Sequence, residues 1–358
     1  MVMANASTRR AELDILKAIA VIGVILIHVV SQGLFSLPRG SVSFNFLLLL
    51  DQLFRFCVPL FVAISGFTLA LKYSKHQLVL SEFLTRRVLR LLPWYLFFSC
   101  LIYLYLHHTH WYFGSAHSPL WKVIFLGKGD YHLYFVPMIF TLYLLFPLLN
   151  RVKSAILLLV PFLLFQIVFY QILTLQSLEK IELGFFKGDQ QQYLFAGTWI
   201  FYFVLGIVLF RLKNSPSSFV KSLSLSALCL GFFWMVWQCF NLSSSLDLNV
   251  VTRSTRLSVL LYSSAFVVCC IFYKEKLLAL NKKLLNFLAG IGSRSYVIYL
   301  MHTLFLRIFL TYIPPTSTIN LVLIALLTVV VCDYVAQILQ SILAKGIRAR
   351  VFGSLIKR

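Results

Sequence analysis

Ionisable side chains inside long apolar stretches are the residues of this sequence whose types and positions could carry chemistry. They are His28, Asp51, Arg55, His302 and Asp333. An ionisable group within hydrocarbon costs at least ~2.5 kcal/mol, so it is rarely kept unless it faces a polar cavity and has a function there. Histidine accepts a proton at neutral pH, and a carboxylate beside it can orient the ring or stabilise its protonated form. The set therefore indicates a general base with an acidic partner.

Ten apolar segments are long enough to hold these residues within a membrane. A helix needs ~20 mostly apolar residues to cross a ~30 Å hydrocarbon core. The predicted spans are, approximately, 13–32, 44–71, 89–106, 132–149, 155–175, 193–210, 223–240, 257–273, 288–312 and 319–343. Apolar residues make up 60% of the chain and charged residues 12%, which leaves no room for a sizeable water-soluble domain. We predict an all-α, polytopic integral membrane protein with one domain over residues 1–358.

The distribution of basic residues predicts how the chain crosses the membrane. A net charge of +21 could suggest nucleic acid, but the basic residues are dispersed among the connections and not gathered on one polar segment. With the amino terminus in the cytoplasm, 21 lysines and arginines fall on inward connections and seven on outward ones. By the positive-inside rule both termini are cytoplasmic. The first span lacks a small-residue cleavage site, so we interpret it as an uncleaved helix.

The depth of the polar residues follows from the helical rise. At ~1.5 Å per residue, His28 lies about 24 Å along its helix from Glu12, in the outer part of the hydrocarbon core. Asp51 and Arg55 lie in the outer half of the next span, and their i, i+4 spacing makes mutual neutralisation as good an interpretation as a substrate role. His132 opens the fourth span from outside. Asp333 has no obvious partner and no assigned role.

Three arginines mark the cytoplasmic mouth of the third span. These are Arg86, Arg87 and Arg90, of which the last two share a helix face at i and i+3. Guanidinium groups bind phosphates through two hydrogen bonds and stay charged at any relevant pH. One interpretation is a site for a phosphorylated cytosolic donor. The other is an anchor at anionic lipid headgroups, which position alone favours.

The histidine-rich loop 107–119 invites the hypothesis of a metal site. His108 and His110 are too close for a helical i, i+4 pair, no carboxylate lies within the run, and no spacing matches a zinc template. We therefore predict no metal.

Five segments together resemble the membrane acyltransferase family 3. They are the run from Leu13 to His28, Val58–Phe67, the arginine motif ending in Arg90-Leu-Leu-Pro93, His132–Phe135 and Ser295–His302. They occur in the order of the family's motifs and span nearly the whole chain. Lys17 stands where the family's first motif has an arginine, so the charge is kept but the two-point geometry is lost. Without an added hydrolase domain, the chain is similar to the intercellular-adhesin branch of exopolysaccharide O-acyltransferases.

The resemblance implies an enzyme that takes an acyl group from coenzyme A on the cytoplasmic side. Arg87 and Arg90 match the family's R-x-x-R donor motif, and Arg86 and Lys17 are further expected contacts of acyl-coenzyme A. Lys17 is also expected to pair with Asp14 at the cytoplasmic edge. No other cofactor is expected.

The acceptor side is expected to be an extracytoplasmic polysaccharide or glycolipid. His28 matches the family's essential histidine, and Asp51 and His302 are the further catalytic candidates, although His302 could equally be a packing residue. Arg55 and His132 are expected to bind the acceptor. His28 would act either as a general base on a sugar hydroxyl or through an acyl-histidine intermediate.

The sequence therefore predicts a multi-pass acyltransferase of a bacterial cytoplasmic membrane, surrounded by lipids, that transfers acetyl in preference to succinyl. The oligomeric state is left open, a homo-oligomer included. A glycan exporter or flippase is the alternative, and a receptor or assembly subunit is a third. A transporter should show related halves or paired broken helices, and the sequence shows neither.

Overall fold

The computed structural model describes residues 11–109, 118–178, 189–212, 216–243 and 247–356, with side chains throughout except at 189–190 and 344–356. Within these ranges the regular elements are helices, joined by short turns. In chain order the α-helices are α1 (Ala11–Ser36), α2 (Val42–Leu53), α3 (Cys57–Tyr73), α4 (Leu80–Thr109), α5 (Leu120–Leu126), α6 (Phe135–Arg151), α7 (Ala155–Ser177), α8 (Asp189–Leu194), α9 (Ile200–Arg211), α10 (Ser218–Ser243), α11 (Leu248–Val251), α12 (Leu257–Phe272), α13 (Lys274–Leu278), α14 (Lys282–Tyr312) and α15 (Thr318–Ile356). The all-helical class is confirmed.

Seven described segments are long and apolar enough to cross a membrane. They are α1, the pair α2 and α3 taken together as Val42–Tyr73, α4, α7, α10, α14 and the Thr318–Leu343 part of α15. Three shorter apolar helices, α6, α9 and α12, accompany them. Each predicted span overlaps one of these ten elements. We call the end of the bundle where α1 begins the α1 end, and the opposite one the far end.

The helices α4 and α14 begin at least six residues earlier than the hydropathy pattern predicts. Helix α4 begins at Leu80 and α14 at Lys282, several residues before the predicted spans at 89 and 288. The added turns carry charged side chains, which lower the hydropathy without disturbing the helical hydrogen bonds. Asn281 supports the start of α14, since its side chain accepts hydrogen bonds from the backbone N–H groups of Lys283 and Leu284.

Two predicted spans are interrupted rather than continuous. A turn at residues 54–56 separates α2 from α3, and the hydroxyl of Tyr262 donates 2.8 Å to the carbonyl oxygen of Leu53 beside it. A second break separates α8 from α9, where Tyr170 donates 2.9 Å to the Thr198 carbonyl. Irregular backbone at membrane depth is tolerated where protein groups satisfy it. The hydropathy pattern of the sequence does not indicate either interruption.

Helix α1 lies at the centre of the bundle and packs against α2, α3, α14 and α15. Its closest approach to α14 is at Gly292, where an added Cβ would lie 1.7 Å from the carbonyl oxygen of Asp14. Helices α3 and α9 approach in the same way, since a Cβ at Gly206 would lie 1.9 Å from the carbonyl oxygen of Ala63. Small residues allow backbones in a membrane to pack this closely. The α1–α14 contact fixes the two helices that carry Lys17, His28 and His302.

Candidate active site

A cavity of about 480 Å³ lies among α1, α3, α4, α6 and α14. Lys17, Arg87 and Arg90 line it towards the α1 end, and Phe61, Phe135 and Tyr299 line it towards the middle of the bundle. Its volume falls within the ~300–1,000 Å³ typical of ligand and cofactor pockets. The cavity thus has a cationic end and an aromatic end.

Two of the three arginines of the motif, Arg87 and Arg90, lie at the cationic end. The guanidinium of half-buried Arg87 lies 5.5 Å from the ring centroids of both Phe83 and Tyr143. Its buried Nε has no hydrogen-bond partner among the described residues, so it is available to an anion. Arg90 is exposed at the same cavity.

Lys17 reaches the cavity from α1. Its ammonium nitrogen lies 3.1 Å from Oδ1 of Asp14, which is the pair expected at the cytoplasmic edge. This pair leaves the lysine partly accessible, with a quarter of its side chain exposed, so it can still face a bound anion. Lys17 and the two arginines are contributed by two different helices.

Arg86 lies elsewhere. Its guanidinium is exposed and forms an ion pair with Glu82 one turn earlier. Both residues line a second cavity, about 550 Å³ in volume, together with Lys72 and His76. The structure therefore brings Arg87, Arg90 and Lys17 together and places Arg86 outside their cavity.

Three histidines that are far apart in sequence meet just beyond the aromatic end. The rings of His28 and His302 stack with their centroids 5.2 Å apart, and the ring of His132 lies 4.8 Å from that of His302. His132 and His302 are buried, whereas His28 is partly accessible. Tyr131 packs edge-on against His28, with ring centroids 4.8 Å apart. We call His28, His132 and His302 the histidine cluster.

The hydrogen bonds of the cluster indicate how its rings are protonated. Nδ1 of His302 lies 2.6 Å from the carbonyl oxygen of Tyr299, which can only accept, so Nδ1 carries the proton. Its Nε2 has no partner among the described residues and is left as an unprotonated base. Nε2 of His132 lies 3.3 Å from the Leu300 carbonyl, and its Nδ1 lies 3.6 Å from Oδ2 of Asp130. Both nitrogens of His132 thus face oxygen atoms.

Asp130 is the carboxylate that faces the histidine cluster. It lies in the turn between α5 and α6 and receives two hydrogen bonds of 2.6 Å from Arg307 on α14. Both side chains are buried. Burial by itself raises the pKa of Asp130, but the neighbouring His132 and the Arg307 guanidinium hold it well below its ordinary value. The pair fixes the turn that carries Tyr131 and His132.

The turn depends on a glycine. Gly127 ends α5 with a φ of 65°, in the left-handed region, and a Cβ there would lie 2.6 Å from the backbone of Leu133. The hydroxyl of Tyr95 donates to the carbonyl of Ile124 at 2.8 Å and ties the end of α5 to α4. These contacts hold the turn against the bundle. His132 consequently lies in the turn, three residues before α6, and not within a span.

Asp51 and Arg55 form the mutual pair that their spacing allows. Oδ2 of Asp51 lies 3.0 Å from Nε of Arg55, and it also accepts a hydrogen bond of 2.7 Å from Nε2 of Gln52. Both residues lie at the break between α2 and α3. The Asp51 carboxylate is therefore occupied by Arg55 and Gln52, while Asp130 faces the histidines.

Asp333 has a partner after all, contrary to the sequence expectation. Its Oδ1 lies 2.7 Å from Nη2 of Arg294 on α14, and its Oδ2 accepts a hydrogen bond of 2.7 Å from Gln337. This network joins α14 to α15 away from the histidine cluster. It also occupies the guanidinium of Arg294.

No group of three or more histidine, cysteine, aspartate or glutamate side chains among the described residues could hold a metal ion. His110 of the histidine-rich loop lies outside the described residues.

A family model described as an acyltransferase domain, that of acyltransferase family 3, matches residues 10–337. The chain belongs to this family. A search of curated proteins and a search of solved structures each gave no match. The match confirms the resemblance at the level of the family and includes both the cavity and the histidine cluster. Family membership and the apolar helices together identify a multi-pass membrane acyltransferase.

Sequence reasoning missed Asp130, Tyr131, Tyr299 and Arg307. Arg307 lies within the predicted span 288–312, so the rule that singled out His302 would also have found it. Asp130 precedes His132 by two residues in the sequence Asp-Tyr-His, but nothing in that spacing indicates a partner on α14.

Proposed function

We propose that this acyltransferase transfers an acyl group from acyl-coenzyme A on the cytoplasmic side to a hydroxyl of an extracytoplasmic glycan. The observation that carries the proposal is a single cavity that runs from Lys17, Arg87 and Arg90 to Tyr299. The ring of Tyr299 lies 5.4 Å from that of His132 and 5.7 Å from that of His302. A cationic donor site and a set of bases are thus the two ends of one path.

The cationic end suits the phosphates of coenzyme A. Arginine presents paired donors to phosphate oxygens, and lysine adds a point charge. At ~1.5 Å per residue, His28 lies about 16 Å along α1 from Lys17, a distance that the flexible thioester arm of the donor has to cover. The apolar middle of the cavity accepts the uncharged part of that arm.

Three aromatic rings separate the cavity from the histidines. The ring centroid of Tyr299 lies 5.3 Å from that of Phe135 and 6.3 Å from that of Phe61. We call these three residues the aromatic floor. The thioester carbonyl would have to approach this floor for the reaction to occur, because the bases lie on its other side.

His28 is the base that we assign to the acceptor, because it is the partly accessible member of the histidine cluster. The imidazole takes the proton of the sugar hydroxyl as the oxygen attacks the thioester carbonyl. When the carbon–sulfur bond breaks, the coenzyme A thiolate accepts that proton from the imidazolium and leaves as the thiol. General-base catalysis of this kind typically contributes 10²- to 10⁴-fold.

An acyl-histidine intermediate remains the second route within the same function. Its nucleophile would be an imidazole nitrogen, which displaces coenzyme A as the thiol, and the glycan hydroxyl would then attack the acyl carbon and release the imidazole. Rapid mixing with radiolabelled acetyl-coenzyme A in the absence of acceptor distinguishes the routes. Label retained on the denatured protein indicates the covalent route, and its absence indicates direct transfer.

We further propose acetyl as the acyl group, in preference to succinyl, and an exported polysaccharide or glycolipid as the acceptor. The resemblance to the exopolysaccharide O-acyltransferase branch supports both choices. The excess of basic residues on the connections at the α1 end supports a cytoplasmic location for both termini in a bacterial cell membrane. His302 and Asp51 stay proposed participants, with Asp51 acting through Arg55.

A glycan exporter is the second candidate, and the two interrupted spans favour it, since broken helices often form transport sites. One comparison separates the candidates. Surface glycan from a deletion strain, a complemented strain and a strain that carries His28→Ala is compared by mass. Loss of an acyl increment from exported glycan in the deletion and His28→Ala strains supports transfer. An unchanged acyl pattern with polymer retained inside the cell would support export and contradict the proposal.

His28→Ala needs a control for folding. Coenzyme A binding serves this purpose, because the donor phosphates lie at the opposite end of the cavity. We expect the variant to bind coenzyme A with nearly the affinity of the parent while transfer falls by the factor that a general base contributes. Parental turnover in the alanine variant would make His28 a packing residue.

A further inference from the structure

A second polar cluster lies at the break between α2 and α3 and differs in composition from the histidine cluster. It consists of Asp51, Gln52, Arg55 and Arg256, and we call it the arginine cluster. Asp51 pairs with Arg55, and Gln52 joins the two halves, since its amide nitrogen donates to Asp51 and its amide oxygen accepts from Nη2 of Arg256. The cluster connects the break between α2 and α3 to the start of α12.

Arg256 is a buried cation whose described partners are neutral. Its side chain is 5% exposed, and Nε donates 3.2 Å to the carbonyl oxygen of Arg253. Its other described partners are the Gln52 amide and the Cys239 side chain, and Nη1 has no hydrogen-bond partner among the described residues. A buried charge is normally paired, because removing it from water costs several kcal/mol that neutral partners repay only in part.

The charges of the arginine cluster do not balance. Asp51 is the carboxylate that the described part of the chain places in it, and both of its oxygens contact Arg55. Two guanidinium groups therefore share one carboxylate, which leaves one positive charge in excess. Within a low-dielectric interior such an excess attracts an anion far more strongly than it would in water.

A chain of contacts leads from the arginine cluster towards the segment that carries His132. Nη1 of Arg55 lies 3.4 Å from Oγ of Ser254, whose backbone N–H donates 3.4 Å to the hydroxyl of Tyr193. Tyr193 in turn stacks on Tyr134, with ring centroids 5.6 Å apart. Tyr134 follows His132 of the histidine cluster by two residues. A ligand with its anionic group at the arginines could thus present a hydroxyl to His28.

We propose that the arginine cluster binds an anionic group of the acceptor, so that the acylated glycan is an acidic one that carries a carboxylate or a phosphate. This inference rests on the proposed function, since it assigns the hydroxyl that reacts at His28 to a charged sugar. Arg256 supplies the free Nη1 donor and the excess charge, and Arg55 supplies the side of the site that faces the histidines. Two arginines give a carboxylate or phosphate the paired donors that it prefers.

The first test measures binding. Thermal unfolding of the purified full chain in detergent is followed against methyl glucuronide, glucose 1-phosphate and methyl glucoside at constant ionic strength. We expect the two anionic sugars to raise the unfolding midpoint and the neutral glucoside to leave it unchanged. A larger response to the glucuronide assigns a uronic acid, and a larger response to the phosphate assigns a phosphorylated sugar.

The variants identify the site. Arg256→Gln should weaken the apparent affinity for the anionic sugars at least tenfold. Arg256→Lys should weaken it by less, because the lysine ammonium keeps the electrostatic attraction but lacks the paired donors of the guanidinium. Arg39→Gln, in the exposed turn after α1, is the matched control and should respond as the parent does. The Arg87→Gln/Arg90→Gln variant should keep its response to glucose 1-phosphate, which excludes binding at the donor site.

The stability of the unliganded variant is a second readout. Because Arg256→Gln removes the excess buried charge, the variant without ligand should unfold at or above the midpoint of the parent. A large fall in its midpoint would mean that Arg256 is a structural cation, which contradicts the proposal. Equal responses of the parent and Arg256→Gln to the glucuronide would also contradict the proposal. An equal rise of the unfolding midpoint with chloride alone would contradict it as well.

The second test measures transfer and separates this inference from the proposed function. Acetyl transfer from acetyl-coenzyme A to methyl glucuronide and methyl glucoside is measured by mass. The parent should prefer the glucuronide at least tenfold, and Arg256→Gln should lose that preference. Equal use of both sugars by the parent would overturn the acidic acceptor and leave acyl transfer standing. Binding of the glucuronide without acylation of either sugar would overturn acyl transfer and leave the anionic site standing.

Discussion

Replacing Arg87 and Arg90 with glutamine tests the donor site most directly. Both residues line the cavity that leads to Tyr299, and the buried Nε of Arg87 has no described partner. If they hold the phosphates of coenzyme A, each substitution removes a charge-assisted hydrogen bond. Such a bond contributes ~1.5 to 3 kcal/mol, so each single variant should bind coenzyme A about ten- to a hundredfold more weakly. The double variant should lose less than the product of the two factors, because contacts within one site are coupled.

Arg86 provides the matched control that the structure offers. It is adjacent to Arg87 in sequence, but its exposed guanidinium pairs with Glu82 outside this cavity. An exposed ion pair contributes ~0 to 1 kcal/mol to stability. Arg86→Gln should therefore fold normally and keep its affinity for coenzyme A within about fivefold of the parent.

Calorimetric titration of the purified variants with coenzyme A measures these differences. Arg87→Lys and Arg90→Lys should recover part of the lost affinity, because lysine restores the charge but not the two-point contact. The reasoning would be refuted by parental affinity in the double glutamine variant. It would also be refuted by an equal loss in Arg86→Gln, which would indicate a diffuse surface charge instead of a site.

Three further outcomes follow from the geometry. Asp130→Ala should lower the free energy of unfolding by ~3 to 5 kcal/mol, because it leaves the Arg307 guanidinium buried and unpaired. The double variant Asp130→Leu/Arg307→Met should recover much of that loss, as measured by chemical unfolding. Equal stability of the single and double variants would contradict this. Gly292→Ala should disrupt the α1–α14 contact and lower the unfolding midpoint, because its Cβ would lie 1.7 Å from a backbone oxygen, and an unchanged midpoint would refute that packing. In a background without exposed cysteines, a cysteine that replaces Lys153 should react only with membrane-permeant thiol reagents. A cysteine that replaces Arg39 should react with impermeant reagents as well. The reverse labelling would contradict transfer from the cytoplasmic to the extracytoplasmic side.

The helical class was predictable from the sequence, but the continuity of the helices was not. Hydropathy reports the length of an apolar run, and the runs at 44–71 and 193–210 are long enough for one crossing each. The breaks within them exist because distant side chains satisfy the freed backbone, as Tyr262 does for Leu53. No local pattern contains that information.

The residues of the site were partly predictable. The R-x-x-R spacing of Arg87 and Arg90 indicates a shared face, and the two residues do line one cavity. That His28, His132 and His302 meet depends on the packing of α1, α14 and the turn before α6, which sequence separation conceals. The same limit explains the acidic partner. The i, i+4 spacing of Asp51 and Arg55 already indicated their mutual pairing, whereas the proximity of Asp130 to the histidines arises from its contact with Arg307.

The aromatic floor links the two ends of the path mechanically. The hydroxyl of Tyr299 donates 2.6 Å to the carbonyl oxygen of His132, and the carbonyl oxygen of Tyr299 accepts from Nδ1 of His302. Tyr299 is thereby hydrogen-bonded to both buried histidines, to His132 through its ring hydroxyl and to His302 through its backbone. A thioester that displaces this ring would have to break its hydrogen bond to the His132 carbonyl, so the opening of the floor and the position of His132 would be coupled. Such coupling would keep the path closed to water and small ions until the donor fills the cavity, which a transfer across a membrane requires.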